Sequence, residues 1–195
     1  HKYHKSNISL IIIAIIEAFN LNLNYTNYNK FFMKKKFTGA LIVAAGKGVR
    51  SKSTIPKQYI HFGHKTVLQK NIENFIYEPL IDFVIVAINK EHVELYEKAI
   101  AKIHSSKLLP KCFGGDTRSK SVKNGLKAIA NIGCSKILIQ DGARPFTSNN
   151  IIKNCIKGLD KFDVVFPGIK IPDTLYIQKT ENNRKTIDKQ GPARD

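Results

Sequence analysis

Acidic residues and cysteines are scarce in this chain of 195 residues, and no apolar run is long enough to cross a bilayer. The cysteines Cys112, Cys134 and Cys155 are odd in number and lack the Cys-X-X-Cys spacing of many metal sites. The sequence therefore argues against a disulfide framework and a zinc site, and we expect buried, reduced thiols in a cytoplasmic protein. The longest apolar run, residues 10–16, falls far short of the ~20 residues that a spanning helix needs.

The shortage of acidic residues leaves a formal net charge of +17, from 32 Lys and Arg against 15 Asp and Glu. Such a charge is typical of nucleic-acid-binding proteins, which usually gather their cations on one surface and add aromatic stacking platforms. Here the lysines are spread along the whole chain. The sequence therefore favours a lysine-rich composition with a small anionic substrate, and a basic nucleic-acid-binding module is the alternative from a different class.

Residues 1–32 differ in character from the rest of the chain. Their apolar run is followed by an Asn-rich stretch without a small-residue cleavage pattern, so a signal peptide is not favoured. Met33 is the only methionine in the chain and directly precedes the first predicted strand. We therefore expect residues 1–32 to be a largely unstructured extension and residues 33–195 to form one folded domain.

Apolar runs of strand length alternate with stretches of helical period after Met33. This alternation predicts an α/β fold with right-handed βαβ units, in which helices flank a Rossmann-like, mostly parallel sheet. Ligands of such sheets bind at the carboxyl ends of the strands. A hairpin at about residues 170–190 is predicted to project as a β-arm and to contact a second subunit. The predicted strands are 37–44, 83–88, 137–139, 164–166, 174–177 and 184–187, and the predicted helices are 67–76, 91–103, 119–132 and 150–159.

The first predicted strand ends in a glycine-containing loop with two spaced cations. The loop reads Ala44-Ala45-Gly46-Lys47-Gly48-Val49-Arg50, and the segment Pro56-Lys57-Gln58-Tyr59 follows it. Backbone N–H groups and fixed positive charge at such a turn suit a polyphosphate. The glycine spacing is neither that of a Walker A loop nor that of a dinucleotide fingerprint, so the loop alone is equally typical of a simple turn.

Together these two motifs resemble the sugar-nucleotide transferase superfamily, and Gln58-Tyr59 resembles its cytidylyltransferase branch. Two more segments, Gly114-Gly115-Asp116-Thr117-Arg118-Ser119-Lys120-Ser121 and Gln140-Asp141-Gly142-Ala143-Arg144-Pro145, are similar to signatures of the 2-C-methyl-D-erythritol 4-phosphate cytidylyltransferase family. The resemblance implies a fold of the nucleotide-diphospho-sugar transferase type. It also implies transfer of a cytidylyl group from CTP to 2-C-methyl-D-erythritol 4-phosphate, giving 4-diphosphocytidyl-2-C-methyl-D-erythritol and pyrophosphate in non-mevalonate isoprenoid biosynthesis.

The same resemblance implies roles for individual residues. Lys57 would contact the α-phosphate of CTP, and Arg50 would contact its β- and γ-phosphates, as the two catalytic cations. Asp141 would meet the polyol substrate and Mg2+ or another divalent cation. The implied nucleotide-binding residues are Ala44, Ala45, Gly46, Gly48, Gly115, Asp116 and Ser121, and the implied substrate-binding residues are Asp141, Arg144, Thr174 and Lys189.

Several of these residues also have a purely structural interpretation. Gly114 and Gly115 are equally typical of a tight turn, and Ser121 is equally typical of a helix N-cap. Asp141 could cap the next turn or form an ion pair with Arg144. These interpretations are compatible with the functional ones.

The chain departs from the family pattern at several positions. Gln140 and Gly142 stand where the family usually has His and Ala, and we expect these changes to remove a polar side chain and to loosen the loop. Lys189 stands where the family typically has Arg, so that a point charge replaces a planar fork. The resemblance stops after Gly191, before the family's Thr-Pro-Gln segment, acidic metal-binding position and late lysine. The sequence is therefore interpreted as a C-terminally truncated member.

Two alternatives stay open within the enzyme class, namely a ribitol 5-phosphate cytidylyltransferase and an inactive truncated homologue. The stretch at residues 121–126 and Ala143 favour the methylerythritol enzyme over the ribitol enzyme. The resemblance implies a cytoplasmic homodimer, joined through the β-arm, that acts on CTP and a polyol phosphate. Neither nucleic acid nor a membrane is an expected partner.

Overall fold

The protein was analysed as a computed structural model, which describes complete residues at 37–47 and 55–168 and the backbone alone at 12–14, 176–181 and 184–190. The strands are β1 (Ile12–Ala14), β2 (Phe37–Ala44), β3 (His61–Phe62), β4 (Lys65–Thr66), β5 (Phe83–Ile88), β6 (Cys112–Phe113), β7 (Cys134–Asp141), β8 (Val164–Val165), β9 (Tyr176–Glu181) and β10 (Arg184–Gln190). Six of them form one sheet in the order β6-β5-β2-β7-β1-β8. β1 runs antiparallel to both of its neighbours, and the other five strands are parallel to one another.

Helices cover both faces of this sheet because β2 is apolar on both sides. Ala40 and Ile42 face the core that α1, α2 and α4 build, whereas Leu41 faces the core beneath α3. All three side chains are fully buried, as the period-2 alternation of a strand requires. The helices are α1 (Val67–Ile76), α2 (Val93–Ile100), α3 (Arg118–Ala128) and α4 (Asn149–Gly158).

Side-chain caps fix where three of the helices in the described ranges begin. Thr66 accepts a hydrogen bond from the N–H of Gln69 at 3.1 Å, and Thr117 and Ser148 act in the same way at α3 and α4. A cap of this kind satisfies one of the N–H groups that a helix leaves unpaired at its start. The helix starts are therefore encoded locally.

The predicted α/β class and mostly parallel sheet are confirmed, and the bounds predicted for α1, β2 and β5 agree with the structure. The predicted helix 91–103 is wrong at both ends, since a 3-10 turn occupies Lys90–His92 and α2 ends at Ile100. β7 is longer than the predicted strand, and β9 pairs with β10 as an antiparallel hairpin within the predicted β-arm. No helix in the described part of the chain has both the length and the apolar character to cross a membrane.

The N-terminal segment was expected to lie outside the fold, and the structure departs from that expectation at β1. Ile12 pairs with Ile139 of β7, and Ile13 pairs with Val165 of β8. The three residues of β1 occupy a strand position that joins β8 to the sheet. The rest of the prediction for residues 1–32 lies outside the described residues.

Candidate functional site at the carboxyl edge of the sheet

The loop after β2 is held in place by one buried amide. The Gln58 side chain is 5% exposed, and its Nε2 donates to the carbonyl oxygens of Ala44 at 2.8 Å and Gly46 at 2.9 Å. Gln58 belongs to the 3-10 turn Lys57–Tyr59, so these two bonds fix the loop relative to the exposed Lys57. The two motifs that the sequence analysis combined are thus joined physically.

A second loop, between β6 and α3, packs against the first. The Gly115 N–H donates to Ser121 Oγ at 3.0 Å, and the Gly114 N–H donates to the Ile88 carbonyl at 2.9 Å. A Cβ at Gly114 would lie 2.4 Å from Ala45 Cβ, so that only glycine allows this approach. The two predicted nucleotide loops therefore lie side by side.

Ser121 is 2% exposed and is an internal residue of α3 rather than its cap. Its Oγ lies 2.9 Å from the Thr117 carbonyl, to which it can donate while it accepts from Gly115. The N-cap is Thr117, which accepts from the Lys120 N–H at 3.1 Å. The structural interpretation of Ser121 as a cap is therefore wrong, because the cap lies four residues earlier.

Asp116 is exposed, with its carboxylate 3.2 Å from Lys120 Nζ.

Asp141 ends β7 between two arginines. Its Oδ1 lies 2.9 Å from Arg118 Nε, and its Oδ2 lies 3.1 Å from Arg144 Nε. The pair with Arg144 was one of the structural interpretations, whereas the sequence analysis assigned no role to Arg118. The signal for Arg118 was its position in the first turn of a helix that follows the Gly-Gly loop. The carboxylate holds both guanidinium groups at the sheet edge, where they add positive charge.

Helix α1 holds the turn that follows Asp141. Asn71 is fully buried, and its Nδ2 donates to the Asp141 carbonyl at 2.9 Å. Asn74 donates to the Pro145 carbonyl at 2.7 Å. Gln140, also fully buried, closes the turn by donating to the Arg144 carbonyl at 2.7 Å. Gln140 is therefore a structural support for the turn.

The expectation that Gly142 loosens this turn is wrong. Its N–H donates to the Val43 carbonyl at 2.8 Å, and an added Cβ would lie 2.8 Å from Ala44 Cβ. Gly142 thus brings the turn after β7 into close contact with the strand that carries the nucleotide loop.

The structure brings most of the predicted site residues to one edge. Lys57 and the loops around Ala45, Gly115 and Asp141 follow β2, β6 and β7 at their carboxyl ends, as parallel strands require. Among residues with described side chains, no three His, Cys, Asp or Glu groups are placed to hold a metal ion. Predicted site residues outside the described side chains are Gly48, Arg50, Thr174 and Lys189, of which Lys189 has its backbone in β10.

This arrangement defines a class of protein: an α/β protein of Rossmann-like type whose ligand site is built from loops at the carboxyl edge of the sheet. A profile of the family "IspD: 2-C-methyl-D-erythritol 4-phosphate cytidylyltransferase" matches residues 38–193. The chain belongs to this family.

Individual relatives agree with the family assignment. The chain is 41% identical over 156 residues to the bifunctional enzyme IspD/IspF of Wolbachia pipientis, covering 79% of this chain and 39% of that protein. It is 40% identical over 154 residues to 2-C-methyl-D-erythritol 4-phosphate cytidylyltransferase of Clostridium acetobutylicum, covering 77% of this chain and 66% of that protein. The chain thus spans well under half of the first relative and about two thirds of the second.

The fold is similar to that of a solved structure in the same family. The 4-diphosphocytidyl-2C-methyl-D-erythritol synthase of Anaerococcus prevotii superposes with a TM-score of 0.66 at 29% identity. The match covers 78% of this chain and 62% of that one. The family and these relatives carry the methylerythritol name.

Proposed function

We propose that this chain transfers a cytidylyl group from CTP to 2-C-methyl-D-erythritol 4-phosphate and releases pyrophosphate. The observation that carries the proposal is the convergence of two glycine loops, joined through Gly114 and Ala45, with Asp141 and its two arginines at one sheet edge. The loop after β2 is proposed to supply N–H donors for a nucleotide, and the arginines are proposed to supply positive charge for phosphates. The chain's membership of the family supports the same activity.

In the proposed reaction an oxygen of the polyol phosphate forms a bond to the α-phosphorus of CTP. The bond from that phosphorus to the oxygen bridging the β-phosphorus breaks, and its electron pair leaves with pyrophosphate. The attacking phosphate is already anionic at neutral pH, so the chain need not supply a general base. Fixed cations and oriented N–H groups stabilise the charge that develops on the phosphoryl oxygens.

We assign the positioning of the phosphates to the predicted cations. Lys57 is proposed to contact the α-phosphate, because Gln58 ties its turn to the nucleotide loop. Arg50 is proposed to contact the β- and γ-phosphates. Arg144 is proposed to bind the polyol phosphate, together with Thr174 and Lys189 of the β-arm. Gly48 completes the proposed nucleotide loop.

A divalent cation such as Mg2+ fits this edge only with the triphosphate as its main source of ligands. Asp141 offers one carboxylate, and both of its oxygens already lie within hydrogen-bond distance of arginine. Mg2+ commonly uses one or two carboxylates together with substrate phosphates and water. When bound, it would neutralise charge on the triphosphate, and Asp141 would be the residue that holds it.

We further propose that the β-arm joins two copies of the chain in the cytoplasm. β9 and β10 form a separate two-stranded sheet, which on its own is marginally stable and gains from a partner. The three cysteines are free thiols, as expected of a reducing compartment. Light scattering on the chain and on a variant that lacks residues 169–191 tests the dimer. A monomeric full chain would contradict it.

The test of the activity is turnover with CTP, Mg2+ and each of the two polyol phosphates. The Lys57→Ala variant is expected to lose turnover by on the order of a hundredfold or more while its CTP affinity changes little, because Lys57 is assigned to the reacting phosphate. Lys70→Ala removes an exposed lysine on α1 and is the matched control.

Each outcome separates the candidate functions. Faster turnover with ribitol 5-phosphate would support the alternative substrate. A melting temperature that rises with CTP, without pyrophosphate release, would identify a chain that binds the nucleotide but is inactive. Salt-dependent binding of random oligonucleotides without any effect of CTP would replace the proposal by a nucleic-acid-binding function.

A further inference from the structure

A cavity of about 270 Å3 lies behind the turn that carries Lys57. Its walls come from the 3-10 turn, the β3–β4 hairpin, the start of α1, and α2 with the two residues that follow it. Tyr59 forms one wall, and Gln58 next to it holds the nucleotide loop. The cavity therefore adjoins the proposed catalytic edge, but none of the predicted site residues lines it.

The wall residue Tyr59 carries a buried hydroxyl without a partner. Tyr59 is 4% exposed, and its OH makes no hydrogen bond with any described residue. The hydroxyl oxygen has almost no accessible surface, so Tyr59 lines the cavity with its other atoms and the binding argument rests on the rest of the lining.

The remaining lining combines an apolar wall with a cationic rim. Leu95 and Ala99 present apolar surface from α2, while Lys98 and Lys102 stand beside them and are exposed. His61 and His64 add two imidazoles from the hairpin side. No described residue that lines the cavity is acidic. An anion is therefore attracted to the rim, and the wall accommodates an apolar group of limited size.

We propose that this cavity binds a small organic anion, a phosphate or carboxylate on a compact apolar body. The apolar body lies against Leu95 and Ala99, and the anionic group lies between the hairpin and the two lysines Lys98 and Lys102. This site is separate from the one proposed for CTP, and its occupancy does not require turnover.

Phenyl phosphate is the probe for this proposal, titrated into the 15N-labelled full chain and followed by its amide resonances. We expect saturable binding with shift changes centred on Thr66, Gln69, Leu95 and Ala99. Inorganic phosphate, which lacks the apolar body, should bind about tenfold more weakly or worse at these amides.

Charge reversal at Lys98 in α2 and at Lys102 just beyond its end tests the rim. The double variant Lys98→Glu/Lys102→Glu should raise the dissociation constant of phenyl phosphate by about tenfold or more. The control Lys153→Glu/Lys157→Glu carries the same change at the same spacing on the exposed face of α4, and should leave it within about twofold. Equal effects of the two variants, shifts confined to Ala45 and Gly115, or equal affinity for inorganic phosphate would each overturn the proposal.

Discussion

Asp141 is the residue at the sheet edge whose carboxylate contacts two arginines. Its carboxylate faces Arg118, which precedes it by 23 positions, and Arg144, which follows three positions later. Two cations around one anion leave a local excess of positive charge. Arg118 and Arg144 are well exposed, at 40% and 47% of their side-chain surface. The two ion pairs therefore contribute little to stability, and their main effect is to orient the guanidinium groups.

Asp141→Asn is therefore expected to separate activity from folding. The free energy of unfolding should fall by no more than about 1 kcal/mol, since the ion pairs are solvent-screened. Pyrophosphate release should fall by on the order of 10–100-fold, because the guanidinium groups lose the carboxylate that orients them. Denaturant unfolding and a pyrophosphate assay measure the two effects. Asp160→Asn, which removes the partner of Lys136 away from the edge, is the control. Loss of folding in the Asp141 variant would contradict the assignment.

The thiols provide a second test at the residue scale. Burial raises the pKa of Cys134 to about 11 and also raises the pKa values of Cys112 and Cys155. Since the thiolate is the reactive form, native chain at pH 8 should react slowly with a disulfide reagent such as Ellman's reagent. Cys112, the half-buried thiol, should react first, and its rate should rise about tenfold for each pH unit below its pKa. Rapid reaction of all three thiols at pH 7 in the native chain would contradict this description of the core.

At the scale of elements, the site depends on how closely the loops approach one another. Gly114→Ala would place a Cβ 2.4 Å from Ala45 Cβ and 2.7 Å from Ser121 Oγ. We expect a loss of about 1–3 kcal/mol in unfolding free energy and weaker CTP binding, because the two loops must move apart. Gly168→Ala, where nothing lies within 4 Å of the added Cβ, should change neither quantity. Denaturant unfolding and calorimetric CTP titration test both variants, and an unaffected Gly114 variant would show that the loops need not touch.

The elements that were predicted well are those whose signal is local. β2 and α1 have the predicted bounds because a continuous apolar run and a Thr66 cap define them within a few residues. Contacts between distant positions were not readable from one sequence. The bonds from Gln58 to the nucleotide loop, the pair between Arg118 and Asp141 and the contact of Gly142 with Ala44 all depend on which loops the parallel strands bring together.

At the scale of the whole molecule, a strand from outside the family match joins β8 to the rest of the sheet. β1 lies between β7 and β8, and the family profile begins only at residue 38. Without β1, both neighbours would present unpaired backbone groups, which favour association between chains. A chain of residues 33–195 should therefore melt at a lower temperature and scatter more light than the full chain. A chain of residues 10–195 keeps β1 and should behave like the full chain. Identical melting of all three would show that β1 contributes nothing to stability.

The position of β1 also sets an order of assembly. Ile12 lies opposite Ile139, so the part of the chain that leaves the ribosome early must wait until β7 has been synthesised before it finds its place. Among the described strands, β8 pairs with the sheet only through β1. Pairing of β1 with β7 closes the long loop of chain between them. This step is slow because the chain loses conformational entropy before the hydrogen bonds of the strand pair form. We expect β1 to dock after β5, β2 and β7 have paired, and β8 to join the sheet with it.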